Sequence, residues 1–143
     1  MDQRKTLLLL ALVMIATSAL AQDGLRIYIS ADMEGVVGAV TSEQLNPSGF
    51  EYARFREFLT AEVNATIESA REAGVTDFLI SDSHGNGQNL LIERLPKDVM
   101  IVRSWPRELG MMEGIDETFD GVIFIGYHAS AASMHGVRAH TIS

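Results

Sequence analysis

Four short apolar runs constrain this chain more than any other feature. They are Leu25–Ala31 (LRIYISA), Val75–Ser81 (VTDFLIS), Val99–Arg103 (VMIVR) and Gly121–Tyr127 (GVIFIGY). Each is short and rich in β-branched residues, the pattern of a strand covered on both faces. Nothing between them reads as a hairpin turn. Between the first two lies one long stretch, Glu51 to Ala73, in which Phe55, Leu59, Val63, Ile67 and Ala70 recur at helical spacing and Gly74 supplies a stop. Ser48 and Glu51 stand at capping-box spacing before it. Gln88 to Leu95 reads as a short helix stopped by Pro96, and Trp105 to Phe119 as irregular or partly helical. Strand, long helix, strand and further strands predict an α/β fold with a mostly parallel sheet and flanking helices.

The first residues read as an address. Arg4 and Lys5 precede an apolar run from Thr6 to Ser18, then Ala19-Leu20-Ala21 and a polar Gln22-Asp23. This is the layout of a secretory signal peptide, residues 1–21, cleaved after Ala21; the run is short for a membrane span. A secreted or periplasmic protein without a stable membrane anchor is the expectation. The chain has 143 residues, enough for one domain, and a formal net charge of -8. Removing the leader takes away Asp2, Arg4 and Lys5, which makes the remainder more acidic. A nucleic-acid partner, which would require a basic face, is therefore not expected. The absence of Cys excludes disulfides, thiolate metal sites and Cys nucleophiles.

Ionisable residues sit where the runs end. Asp32 and Glu34 follow the first, Asp82 and His84 the second, and His128 the last. In a parallel sheet all these ends share one edge, where open α/β proteins bind ligands. Asp32-x-Glu34 places two carboxylates on the same side of an extended backbone. Carboxylates gathered in one cleft repel unless a cation compensates them. Oxygen and nitrogen donors without sulfur suit Zn, Mn, Fe or Co. Two such ions about 3.5–4 Å apart form a hydrolytic centre that acidifies bound water. Asp82 reads either as a ligand or as a residue that orients its neighbours. His135 and His140 lie in a loop rich in small residues, and either could act as a general acid or base. No G-x-S-x-G elbow supports a serine nucleophile. Taken singly, each residue also has a plain reading: Asp32 as a turn former, Glu34 as a solvated charge, His84 as a loop hydrogen-bonder and His128 as a core histidine. Trp105 and Met111-Met112 read as core or subunit-contact residues.

Four motifs in order carry a resemblance: Ala31-Asp32-Met33-Glu34-Gly35, Ser81-Asp82-Ser83-His84-Gly85, Gly126-Tyr127-His128-Ala129 and Gly136-Val137-Arg138-Ala139-His140-Thr141. Together they resemble the D-aminopeptidase family of di-zinc metallopeptidases, peptidase family M55. The resemblance implies that Asp32 bridges two zinc ions, that Glu34 and His128 complete one site, and that His84 belongs to the other. His140 would match the catalytic histidine, and Asp82 would support the ligands from outside. It further implies removal of N-terminal D-amino acids from short peptides and a ring-shaped homo-oligomer. Family members extend well beyond this length and carry a further glutamate ligand after the last motif. The likeness thus covers the N-terminal part of a larger α/β domain, over residues 22–143, and a fragment of a longer product is expected. The competing functions are a metal-dependent phosphoesterase and an inactive metal-binding fragment lacking the last zinc ligand.

Overall fold

A computed structural model describes residues 24–141. The expected leader, residues 1–21, lies outside the described residues. Strand β1 (Leu25–Ala31) leads through a short helix α1 (Ser42–Leu45) into the long helix α2 (Tyr52–Glu72), and then β2 (Val75–Asp82), β3 (Met100–Val102) and β4 (Gly121–Ile125) follow. Single 3-10 turns occupy Ile92–Arg94 and Gly110–Met112. The four strands form one sheet in the order β3-β2-β1-β4, and every pairing is parallel. The chain therefore builds outward from β1 to β3, then returns to the other side of β1 for β4. The strand order reverses between β1 and β4, and crevices for ligands open at such a switch point.

Helix α2 covers one face of the sheet. Phe55, Leu59, Val63 and Ile67 share a buried cluster with Ile29, Ala31, Phe78 and Ile80. Each side chain so buried contributes about 2 kcal/mol of transfer free energy. Alternation along β1 points Tyr28 and Ser30 to the opposite face. There the irregular segment after β3 closes over them. The Tyr28 hydroxyl donates to the Glu113 carbonyl (2.9 Å), and the Phe119 ring stands edge-on to Tyr28 at 5.5 Å. No helix among the described residues is long and apolar enough to cross a membrane.

Several local expectations change. The Ser48–Glu51 capping box is not formed: α2 begins at Tyr52 with no side-chain cap, and the Glu51 carboxylate accepts from Gln44 Nε2 instead. The capping box belongs to α1, where Glu43 N–H donates to Thr41 Oγ1 (3.3 Å) and Thr41 N–H donates to Gln44 Oε1 (2.7 Å). The helix expected over Gln88–Leu95 shrinks to one 3-10 turn. Its first amides are already committed, because Asn89 and Leu90 N–H donate to the Asp82 carboxylate. The last strand ends at Ile125, where Gly126 adopts φ +66° and turns Tyr127 and His128 out of the sheet. Trp105 is not a core residue. Its indole N–H donates to the Gly85 carbonyl (2.8 Å), and the Arg107 guanidinium lies over the ring.

Candidate metal centre

The loops after β1 and β4 approach closely enough to share hydrogen bonds. Asp32 N–H donates to the Ile125 carbonyl (2.8 Å), and Gly35 N–H donates to the Gly126 carbonyl (2.6 Å). Glycine is required on both sides. A Cβ on Gly35 would collide with the Tyr127 carbonyl, and one on Gly126 with the Asp32 carbonyl. This contact seats the two carboxylates beside His128. Donor atoms of Asp32, Glu34 and His128 lie within 4.8 Å of one another. Asp32 and Glu34 are buried, at 2% and 8% exposure, too deeply for plain surface charges.

His84 arrives from the end of β2. Its Nδ1 lies 2.9 Å from Glu34 Oε2 and 3.2 Å from Asp32 Oδ1, while its Nε2 donates to the Leu45 carbonyl (2.9 Å). His128 donates from Nδ1 to the Ala129 carbonyl (2.9 Å), and its Nε2 faces Asp32 Oδ2 at 3.6 Å. His140 donates from Nδ1 to the Arg138 carbonyl (2.7 Å), and its Nε2 lies 3.9 Å from Glu34 Oε1. The His128 and His140 rings stack at 3.6 Å with 17° between their planes. Each of the three imidazoles thus spends one nitrogen on a backbone carbonyl and turns the other toward the carboxylates. A carbonyl on the far nitrogen is how proteins fix the tautomer of metal-ligating histidines.

The electrostatics call for a cation. Burial and the neighbouring Glu34 push the Asp32 carboxyl up from its ordinary value, against the opposing effect of His84. For Glu34, burial alone would raise the carboxyl. Hydrogen bonds from His84 and Asp32 and the His84 charge outweigh it and hold it at about 2. Burial would lower His84, but its hydrogen bonds to both carboxylates prevail and lift it to about 10. Without a metal, then, the cluster draws its positive charge from a proton on His84. The donor set, two buried carboxylates with imidazole lone pairs and no sulfur, fits zinc.

Asp82 stands outside the donor cluster. It is fully buried and accepts from Asn89 N–H (2.6 Å), Leu90 N–H (2.7 Å) and Asn89 Nδ2 (2.7 Å). Asn89 Nδ2 also donates to the His84 carbonyl (2.6 Å), and Asn89 Oδ1 accepts from the Tyr52 hydroxyl (2.7 Å). Asp82 and Asn89 together fold the loop that aims His84 and tie it to α2. Asn89 was not singled out from the sequence. Its partners Asp82 and Tyr52 lie seven and 37 residues away, so no local spacing marks it. His135 is exposed and contributes no donor to the cluster.

The family model described as D-aminopeptidase (peptidase family M55) matches residues 25–143. The chain belongs to the D-aminopeptidase family. A curated D-aminopeptidase of Bacillus subtilis (strain 168) is 36% identical over 118 residues, which cover 82% of this chain and 43% of the relative. The solved structure of the Zn-dependent D-aminopeptidase DppA from Bacillus subtilis, described as a self-compartmentalizing protease, superposes with a TM-score of 0.79 at 34% identity. It is covered over 83% of this chain and 43% of its own. The chain thus spans less than half the length of the D-aminopeptidases it matches, and the parallel α/β fold is common to both.

Proposed function

We propose that this chain forms the zinc-binding half of an exported D-aminopeptidase that removes N-terminal D-amino acids from short peptides. The convergence of Asp32, Glu34 and His128 donor atoms within 4.8 Å, at the switch point of a parallel sheet, carries this reading. Asp32, Glu34 and His128 would hold one zinc ion. Asp32 shared with His84 would hold a second, in keeping with the family resemblance of these positions. Bound zinc supplies a Lewis acid and an acidified water at neutral pH. Asp32 lies between His84 and His128, which suits it to bridging. His140 presents an unengaged Nε2 beside Glu34, where it can take or return a proton during attack on a scissile carbonyl. Asp82 and Asn89 hold His84 in place. Export rests on the leader pattern of residues 1–21. A homo-oligomer rests on the self-compartmentalizing relative.

The test is metal content together with hydrolysis. The zinc-loaded full-length protein, with the further glutamate ligand in place, should retain about two ions per chain and cleave D-Ala-D-Ala, and chelation should abolish cleavage. Hydrolysis of a simple phosphate ester in place of the dipeptide would shift the assignment to a phosphoesterase. Zinc binding with neither activity would leave a metal-binding fragment.

A further inference from the structure

A cavity of about 260 Å³ opens beside the metal centre, lined by Met111, Tyr127, His128, Ser130, His140 and Thr141. Two of its wall residues are the stacked imidazoles, so the cavity adjoins the ring proposed to move protons. Among the described residues its lining holds no Asp, Glu, Lys or Arg. A charged side chain placed there would lose water and meet no oppositely charged side chain among the lining residues. The volume lies just under the usual range for small-molecule sites, which is room for about one residue and not for an extended peptide.

The Met111 part of the lining is pinned through its backbone. The Met111 carbonyl accepts from Ser83 Oγ (2.8 Å), Ser30 Oγ (3.0 Å) and the Tyr28 hydroxyl (3.4 Å). The Tyr127 hydroxyl is bound to Ser30 Oγ at 2.7 Å, which fixes that ring as well. The Met111 side chain carries none of these bonds. Methionine is unbranched and adaptable, so this wall can close on apolar groups of different size.

We propose that this cavity receives the uncharged side chain of the substrate's N-terminal residue, with Met111 as the residue that sets the accepted size and charge. The proposal rests on the peptidase reading and adds a preference to it: D-alanine and D-leucine ends are favoured and D-glutamate ends are refused. A size change in an apolar pocket shifts discrimination by about 10-fold or more. Met111→Ala should therefore raise kcat/KM for D-Leu-Gly relative to D-Ala-Gly by about 10-fold. Met111→Lys should raise D-Glu-Gly relative to D-Gln-Gly by a comparable factor, about 10-fold. A loss of folding would lower both members of each pair together and leave the ratios unmoved.

A binding measurement separates this proposal from the activity it builds on. In the zinc-loaded chain carrying methyl-labelled methionine, D-leucine should shift the Met111 methyl resonance and leave that of Met134, 89% exposed on the loop, in place. D-glutamate should shift neither. A Met111 shift with no peptide cleaved by the full-length zinc-loaded protein supports the cavity and sinks the peptidase reading. Cleavage with unchanged ratios in both variants, or a D-leucine effect absent from Met111, overturns the cavity and leaves the peptidase reading standing.

Discussion

The loop after β2 delivers one imidazole, His84, and the loop after β4 delivers two, His128 and His140, to the same two carboxylates, yet the loops are held differently. Residues 83–90 are bound to three other parts of the fold. Ser83 N–H donates to the Ala31 carbonyl of β1, Asn89 receives Tyr52 and Arg56 from α2, and Gly85 receives the Trp105 indole. The side chain they deliver, His84, is 11% exposed. The bonds of residues 129–141 stay within the loop: Ser133 to Ser130, His140 to Ala129, and Ala131 to the Thr141 hydroxyl. His140 is 40% exposed. A ligand that must not move sits on the first loop. A group that exchanges protons with substrate and water sits on the second, where small displacements cost little.

The largest effects should separate the two histidines by kind. His140→Ala should lower kcat about 10²- to 10⁴-fold while zinc content stays at the parent value. His84→Ala should weaken zinc binding more than about 100-fold. Equal loss of metal in both variants would erase the distinction between the loops. Asn89→Ala tests the tether directly. It strips partners from buried Asp82 and Tyr52 and should cost about 2–3 kcal/mol in denaturant unfolding, with zinc affinity falling about 10-fold through His84. A stable Asn89→Ala protein with unchanged affinity would mean that the tether does not aim the ligand.

A pH series reads the first loop alone. In metal-free protein the folded His84 value of about 10 lies above its ordinary 6.5, so its contribution is complete below pH 6.5 and is lost as pH rises toward 10. On the acid side, raised Asp32 and lowered Glu34 act in opposite directions, which makes the alkaline limb the informative one. The Tm of chelated protein should fall across that limb, and the gain in Tm on adding zinc should grow, because zinc must displace the His84 proton. A flat metal-free Tm from pH 6.5 to 10 would detach His84 from the carboxylates. The smallest effect belongs to the second loop. Met134→Ser should change stability by no more than about 0.5 kcal/mol, while amides of residues 130–139 exchange well ahead of those of residues 84–90.

Much of the site was legible because it is encoded locally. Asp32 and Glu34 follow β1 two residues apart, although they reach the cleft through a bend and turn at Met33–Gly35 and not on extended chain, and His84 and His128 follow apolar runs that read as strands. What was illegible depends on partners distant in sequence. The Ser48–Glu51 spacing looked like a cap, but the same i, i+3 spacing seven residues earlier, at Thr41 and Gln44, found the geometry. Residues 88–95 looked helical until Asp82 claimed the amides of Asn89 and Leu90. Trp105 read as core or subunit contact; it lies outside the core, where its indole N–H ties the chain to Gly85.

The amino-acid sequence alone determined that the strands are parallel and that their ionisable termini share one edge, since side-chain period and the lack of hairpin turns depend only on neighbours along the chain. Only the tertiary structure decided the strand order, with β4 returning beside β1. That choice sets the Gly35–Gly126 contact, brings Asp32 and Glu34 against His128 and buries their charge. It follows from long-range packing on α2 and on the segment that covers Tyr28, which no local pattern records.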